Sequence, residues 1–498
     1  MKQKTSNIVF ILIFMAILIV PMIFMNTKEN QISEIDNKLL TEWPDFSPTP
    51  ETRDAIESYF NDRIGFREQA IETYIELNDK LFNVMVHPLF MYGRDGHIYY
   101  KDPAYITAYQ RLNTDPEYLD AFVDYLDKTN EYLNEKNIPF VFFLCPDKKT
   151  IYPEYFPNTI HVKTDNESVI EHVSGQLENT DIDYVIPTEE LTEAKSDLIV
   201  YNKLYDATHW NAFGAMIGHK LLDDRLRANV DGVAPLSEDD FDLSFVNMTS
   251  LDVAQFPINE DVPLYTLKSD TAESAADYLM PYIKCPNTTF YNHYINPSVG
   301  NGKKILVFTD SYFSNYIWFY TNRYEEVYFV HRLNYDYIQY LVNLVFPDAV
   351  VFETAERSIT GEMPLYCDYT NCYYESPYSG DGTYSENDGI GLTITGASGV
   401  RQDGNILYLN PEQGENIVCL DGVIDDNGKN VNLYAHVGEA YLETDYCALH
   451  RESETDGLNK FSVSIQRRYL AQGPIDFIAV DDNGNEYLVD TFEVVYGQ

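Results

Sequence analysis

The sequence predicts an α/β protein, a doubly wound and mostly parallel sheet followed by an all-β sandwich. Three observations carry this. Between about residues 116 and 358, short apolar runs alternate with helical patterns, the rhythm of a parallel sheet covered on both faces. From Tyr373 to Gly389 the texture turns to Gly, Ser, Asp and Tyr, and beyond it only short alternating runs with turn signals follow. At the start, Ile8–Met25 is an unbroken apolar run of 18 residues.

That first run is just long enough to span a bilayer as a helix. Lys2 and Lys4 precede it and orient the N-terminus toward the cytoplasm, while Pro21-Met22-Ile23-Phe24-Met25-Asn26 lacks the small residues of a cleavage site. Residues 1–30 are therefore expected to be an uncleaved single-pass anchor in the cell membrane, with the bulk of the chain extracellular. Residues 31–372 make the expected α/β domain. It opens with a helical stretch from Pro50 to Phe82 and a strand–turn–strand at Met91–Tyr100. A helix over Pro116–Asn134 presents Leu119, Phe122, Val123 and Leu126 on one face. The strand Pro139–Leu144, a helix over Glu167–Leu177, strands at Tyr184–Ile186 and Leu198–Tyr201, and a helix over Ala212–Leu226 follow. Residues 228–302 break the rhythm and read as an insertion. Strands at Lys304–Thr309, Glu326–Val330 and Asp348–Glu353 then alternate with helices at Phe313–Asn322 and Tyr335–Leu344. Residues 373–388 read as a linker and 389–498 as the sandwich, with hairpin turns at Asn427-Gly428 and Asn483-Gly484. The aspartates before those turns lack the spacing of a calcium loop and are read as turn residues.

Charge and cysteine usage narrow the function. The chain holds 34 Lys+Arg against 79 Asp+Glu, a net charge of −45. The first thirty residues carry +2, so everything after them carries −47. Nucleic-acid binding needs a basic face to replace counterions, so it is excluded as a role. With 41 Tyr and 27 Phe the chain is too apolar for disorder. Six cysteines without a Cys-x-x-Cys pair exclude a disulfide scaffold and give zinc or redox chemistry no support. Cys367 with Cys372, and Cys419 with Cys447, are candidate pairs; Cys145 and Cys285 read as buried singles. No metal and no cofactor is expected.

Two segments carry chemistry. Tyr205-Asp206-Ala207-Thr208-His209-Trp210-Asn211 lies between a strand and a helix, and Thr309-Asp310-Ser311-Tyr312 breaks an apolar strand into a helix. A serine hydroxyl becomes a nucleophile when a base takes its proton, and the base needs an acid to hold its tautomer. Asp206 is three residues from His209 and within reach of Nδ1, which leaves Nε2 for Ser311. A helix starting at Tyr312 is expected to aim backbone N–H groups at an oxyanion near Ser311. An isolated Asp-Ser is ordinarily an N-cap, and an isolated Asp-x-x-His a surface turn. Both at strand ends of one α/β domain favour a Ser311–His209–Asp206 triad. Trp210, Arg332, Lys148 and Tyr152 are the candidate substrate-binding residues. The cluster Tyr373, Tyr374, Tyr378 and Tyr384 reads as an aromatic hinge.

These segments resemble the SGNH/GDSL hydrolase superfamily, and more closely its alginate O-acetylation branch, which includes cell-envelope proteins named for an Asp-His-His-Trp motif. The resemblance runs from about residue 35 to 358. It rests on Asn37-Lys38-x-Leu40-x-x-Trp43-Pro44, Asp62-Arg63-x-Gly65-x-Arg67, Gly93-Arg94-Asp95-Gly96, and Pro146-x-Lys148-x-x-x-Tyr152. His209-Trp210 with Gly214, Asp310-Ser311, and the strand Pro347–Glu353 complete it. Here Ala207 stands where the branch usually has its acid, and Asp206 takes the wider superfamily's place three before the histidine. Thr309 replaces the glycine of Gly-Asp-Ser. The resemblance implies an SGNH-like fold in permuted motif order. It also implies a serine O-acetyltransferase or acetylesterase acting on a cell-surface polysaccharide, and a multi-span membrane acyltransferase as partner. The sandwich is expected to hold the glycan. A catalytically inactive surface scaffold or carbohydrate-binding protein on the same fold is the alternative.

Overall fold

The computed structural model describes residues 2–496 apart from 29–39, 45–48, 83, 113, 252–255, 284, 286–288, 360–381, 388, 410–415, 430, 439 and 445–459. It divides into two compact units, 1–102 with 203–207 and 248–260, and the remainder.

In the first unit, α1 (Lys2–Ile23), α2 (Pro50–Arg63) and α3 (Arg67–Phe82) precede an antiparallel pair, β1 (Phe90–Tyr92) and β2 (Ile98–Tyr100). The helical stretch expected over Pro50–Phe82 is two helices. It breaks at Gly65, where a Cβ would lie 2.6 Å from the Phe24 carbonyl oxygen, and the next residue, Phe66, turns left-handed at φ 63°. Arg63, 1% exposed, holds the return chain by donating to the carbonyls of Thr41 (2.7 Å) and Lys28 (2.6 Å). Among the described residues, no helix is long and apolar enough to cross a membrane, so the anchor expected at residues 1–30 has no structural support. The apolar side chains of α1 from Ile8 onward are exposed.

The second unit holds a seven-stranded sheet. Its parts are α4 (Pro116–Glu135), β3 (Phe140–Cys145), α5 (Val169–Leu177), β4 (Asp183–Val185), α6 (Thr188–Ala194) and α7 (Ala212–Asn229). Then come β5 (Glu273–Ser274), β6 (Asn292–Ile295), β7 (Lys304–Thr309), β8 (Glu326–His331), α8 (Ile338–Val345) and β9 (Ala349–Ala355). The strand order is β4-β3-β9-β7-β8-β6-β5, and the sheet is mixed: the first five strands are parallel, β6 and β5 antiparallel. Alternation divides β3 between two cores. Phe140, Phe142 and Leu144 pack with Phe122, Leu126 and Leu341, whereas Val141, Phe143 and Cys145 pack with Met216, Leu222 and Phe313. Helices start where the local chemistry tells them to: Asp115 caps α4, and Ser168 with Glu171 forms a capping box on α5. The strand expected at Leu198–Tyr201 is a loop, with Val200 and Tyr201 buried to fill the core rather than to pair. The helix expected over Phe313–Asn322 is two short turns, Ser311–Ser314 and Trp318–Thr321.

After residue 390 two sheets face one core. β10 (Gly391–Ser398), β13 (Ile417–Asp425) and β16 (Lys460–Gln466) make the smaller. The larger runs β11-β12-β18-β17-β14-β15, from β11 (Arg401–Asp403), β12 (Ile406–Leu409), β14 (Val431–Val437), β15 (Ala440–Glu443), β17 (Ile475–Asp481) and β18 (Glu486–Tyr496). Leu420, Val463, Leu433 and Phe477 fill the space between them. Asn483-Gly484 closes the β17–β18 hairpin, with Asp481 Oδ1 accepting from Asn483 and Asn485. Asn427-Gly428 does not close a hairpin: it carries the chain from one sheet to the other. The sandwich and the α/β sheet share one compact unit. Gln466 donates to the Leu344 carbonyl (2.6 Å), Tyr132 donates to Glu443 (3.0 Å), and Arg468 forks onto Glu326 (2.5 and 2.9 Å).

Cys145, Cys285 and Cys419 are buried free thiols, Cys419 beside Ser464. Cys367, Cys372 and Cys447, the tyrosines 373, 374 and 378, and residues 373–381 and 388 of the expected linker lie outside the described residues. Tyr384 packs on Tyr434, Ile478 and Val480.

Candidate active site

The parallel register sets Thr309 level with His331, and Cys145 level with Ala355, at the carboxyl ends of β7, β8, β3 and β9. The segments that follow these strands converge there. Asp310 caps the short turn that carries Ser311: its Oδ1 accepts from the Tyr312 amide (2.9 Å) and its Oδ2 from the Ala355 amide (2.9 Å). The Tyr312 N–H, expected to face an oxyanion, is thus already engaged by Asp310. His209 enters from the loop before α7. Asn211 caps that helix by accepting from Phe213 (3.0 Å) and Gly214 (3.2 Å). Gly214 is required because a Cβ there would meet the Val200 carbonyl oxygen at 2.5 Å.

These two loops bring His209 Nε2 within 2.8 Å of Ser311 Oγ. The same nitrogen lies 3.1 Å from Arg357 Nη2. A guanidinium only donates, so Nε2 is the acceptor and the imidazole proton sits on Nδ1, which donates to Thr208 Oγ1 at 3.1 Å. The Ser311 hydroxyl therefore also points its proton at Nε2. Asp206 belongs to the segment 203–207, whose backbone is pinned by Glu260 accepting from Lys203 (2.7 Å), Leu204 (2.8 Å) and Tyr205 (2.6 Å).

Behind the histidine lies a buried charge network. Asp147 is fully buried and pairs with Arg357 and with Lys149 (3.1 Å), while Tyr312 OH donates to it (3.0 Å). Glu356 accepts from Lys149 (2.6 Å), Thr150 (2.6 Å) and the Asp147 amide (3.0 Å). Burial would raise the Asp147 pKa, but Lys149 and Arg357 outweigh it and hold the carboxylate below its usual range. Burial likewise opposes the Arg357 charge, and Asp147 overcomes it. On the other side of the nucleophile turn, Glu353 accepts from the Asp310 amide (2.8 Å) and Thr309 Oγ1 (3.0 Å). Burial first, and the Asp310 charge second, push its pKa well up.

The expected substrate-binding residues sit deeper than the sequence implies. Trp210 is 3% exposed, donates to the Tyr312 carbonyl (3.2 Å) and packs against the rings of Phe143, His219 and Tyr312. Tyr152 is buried and accepts from the Val200 amide (3.3 Å). Lys148 is fully buried, its amide donating to Thr208 (3.1 Å). Arg332 lies 3.7 Å from Asp310 Oδ2, so it braces the nucleophile turn. Sequence reasoning passed over Asp147, Lys149, Glu353, Glu356 and Arg357. Their one sequence signal is charge within or just after apolar core strands, where a buried cost demands a partner. Among the described residues, no cluster of His, Cys, Asp or Glu is arranged to hold a metal.

Residues 91–254 match the family model described as the SGNH hydrolase-like domain of acetyltransferase AlgX. The resemblance to the SGNH-like alginate O-acetylation branch stands. The matched stretch contains Asp206, His209 and Trp210, and the SGNH-like sheet continues beyond it to Ser311 and Arg357. Solved structures that resemble the chain include PatB1 from Bacillus cereus, at 15% identity, 54% of this chain, 96% of that chain and a TM-score of 0.42. The O-acetyltransferase domain of AlgJ from Pseudomonas putida gives 14%, 55%, 92% and 0.38. AlgX from Pseudomonas aeruginosa gives 12%, 81%, 90% and 0.36. No curated protein matches the sequence.

Proposed function

We propose that the protein is an extracytoplasmic serine O-acetyltransferase or acetylesterase acting on a cell-surface polysaccharide. The observation that carries the reading is the 2.8 Å approach of His209 Nε2 to Ser311 Oγ at the carboxyl end of the sheet, with Nε2 as acceptor. Ser311 takes the acetyl group as a covalent ester. His209 removes the serine proton and then returns a proton to the leaving oxygen. Asp206, three residues before His209, is the acid assigned to hold it, an assignment supported by sequence spacing. The match of residues 91–254 to an acetyltransferase family supports acetyl transfer, and by the same resemblance a multi-span membrane acyltransferase is the proposed donor.

Membrane attachment through residues 1–30 belongs to this reading. It is supported by the apolar run Ile8–Met25 behind Lys2 and Lys4. The charge of −47 on residues 31–498 favours a neutral or weakly charged glycan over a strongly anionic one. The sandwich is the proposed glycan-holding module.

A serine-directed fluorophosphonate tests the reading. Wild type is expected to label and to release acetate from acetyl esters, and Ser311→Ala to fall to background in both. Equal, background-level behaviour of the two proteins would replace the enzyme by a surface scaffold.

A further inference from the structure

Arg357 touches the one atom whose hydrogen-bonding role inverts during the proposed chemistry. We propose that Arg357 is the oxyanion-stabilising residue of this site, donating from Nη2 to the carbonyl oxygen of the acyl group under attack. The inference rests on Ser311 and His209 acting as nucleophile and base.

At rest, Nε2 of His209 accepts from Ser311 Oγ (2.8 Å) and from Arg357 Nη2 (3.1 Å). As the Oγ–C bond forms, the Ser311 proton moves to Nε2 and the π pair of the carbonyl moves onto its oxygen. Nε2 is then an N–H, and two donors face each other. Nη2 then loses Nε2 as an acceptor, and the chemistry creates another at that moment, on the carbon newly bonded to Oγ. When the intermediate collapses, the electron pair returns to the carbonyl and the bond to the leaving oxygen breaks. The Nε2 proton goes to that oxygen, and Nε2 again becomes an acceptor for Nη2. The bond from Arg357 to the oxyanion is therefore made only where charge develops, the condition for lowering a barrier and not merely binding a ground state.

The rest of the guanidinium is anchored for such a pivot. Nη1 is paired to Asp147, which is fully buried and held by Lys149 and Tyr312, and the guanidinium carbon lies 5.2 Å from the Tyr312 ring centroid. One alternative donor is committed elsewhere, since the Tyr312 amide caps onto Asp310 Oδ1 at 2.9 Å. An arginine fits this place where a lysine does not, because its fork donates in two directions at once.

The test uses the full-length chain in detergent with 4-nitrophenyl acetate as substrate. Arg357→Ala is expected to lower kcat by about 10²–10³-fold with KM nearly unchanged, the signature of a lost transition-state donor. Arg357→Lys keeps the charge opposite Asp147 and guards against a folding defect; it is expected to melt like wild type and still lose most of kcat. Added guanidinium chloride, at non-denaturing concentration, is expected to restore turnover to Arg357→Ala and none to Ser311→Ala. Wild-type kcat in Arg357→Lys, or an Arg357→Ala defect that guanidinium leaves untouched, would overturn the role given to Arg357 while leaving the nucleophile intact. A wild type without Ser311-dependent hydrolysis would overturn the reading of the site itself.

Discussion

Two fully buried carboxyl groups at one end of the sheet meet opposite fates. Asp147 follows β3 and Glu353 lies in the neighbouring parallel strand β9, and both are 0% exposed. Burial pushes both pKa values up. At Asp147 the charges of Lys149 and Arg357 reverse that push, and the group stays ionised. At Glu353 the charge of the Asp310 carboxylate adds to the push and holds the acid toward its protonated form. Burial alone therefore does not decide ionisation; the sign of the neighbour does. The two fates suit two tasks. An ionised Asp147 anchors a cation against the histidine, whereas a neutral Glu353 braces the serine turn without adding charge beside the nucleophile.

The contrast breaks most readily at Asp147. Asp147→Asn strips the counter-charge from Arg357 and half of it from Lys149, and unfolding in urea at neutral pH is expected to show a loss of about 3–5 kcal/mol. A loss no larger than that of an exposed pair would mean the network does not hold the cation. A sharper test is pH. The depressed Asp147 contributes stability that is complete above its ordinary value of 3.8 and lost as the pH falls below it. The raised Glu353 contributes stability that is complete below its ordinary value of 4.5 and declines as the pH rises from there toward its folded-state value. Melting curves of Glu353→Gln, a neutral isostere, should flatten the decline on the alkaline side and leave the acid side as in wild type. An unchanged alkaline side would show that Glu353 is ionised after all. The smallest effect is expected from Thr309→Val, which removes one donor to a neutral acid and should cost about 1 kcal/mol by the same unfolding assay.

Much of the local structure was legible in the chain. The alternation of apolar runs and helical faces located β3, β7, β8 and β9, because a strand buried on both faces must be apolar throughout. Ser311 stands out because polar residues interrupt an apolar strand at its end, and His209 because it follows Asp206 by three residues just before a helix. Their meeting, and its 2.8 Å, belonged to the fold. Asn427-Gly428 shows the opposite case: its turn chemistry was readable, but whether the chain then pairs back or crosses to another sheet depends on packing. The run Leu198–Tyr201 is a loop where its pattern predicts a strand for a similar reason, since short apolar segments fill cores as loops as well as strands.

The groups with local causes follow from the chain alone: the strands, the caps at Asp115, Asn211 and Asp310, and the strand-end position of the serine. What only the tertiary structure decided is which charges face one another. Asp147 and Arg357 are 210 residues apart in the chain, and nothing local to either announces the other. Charge pairing inside a protein is a property of distance and burial, and both are set only when the sheet has brought its strand ends together.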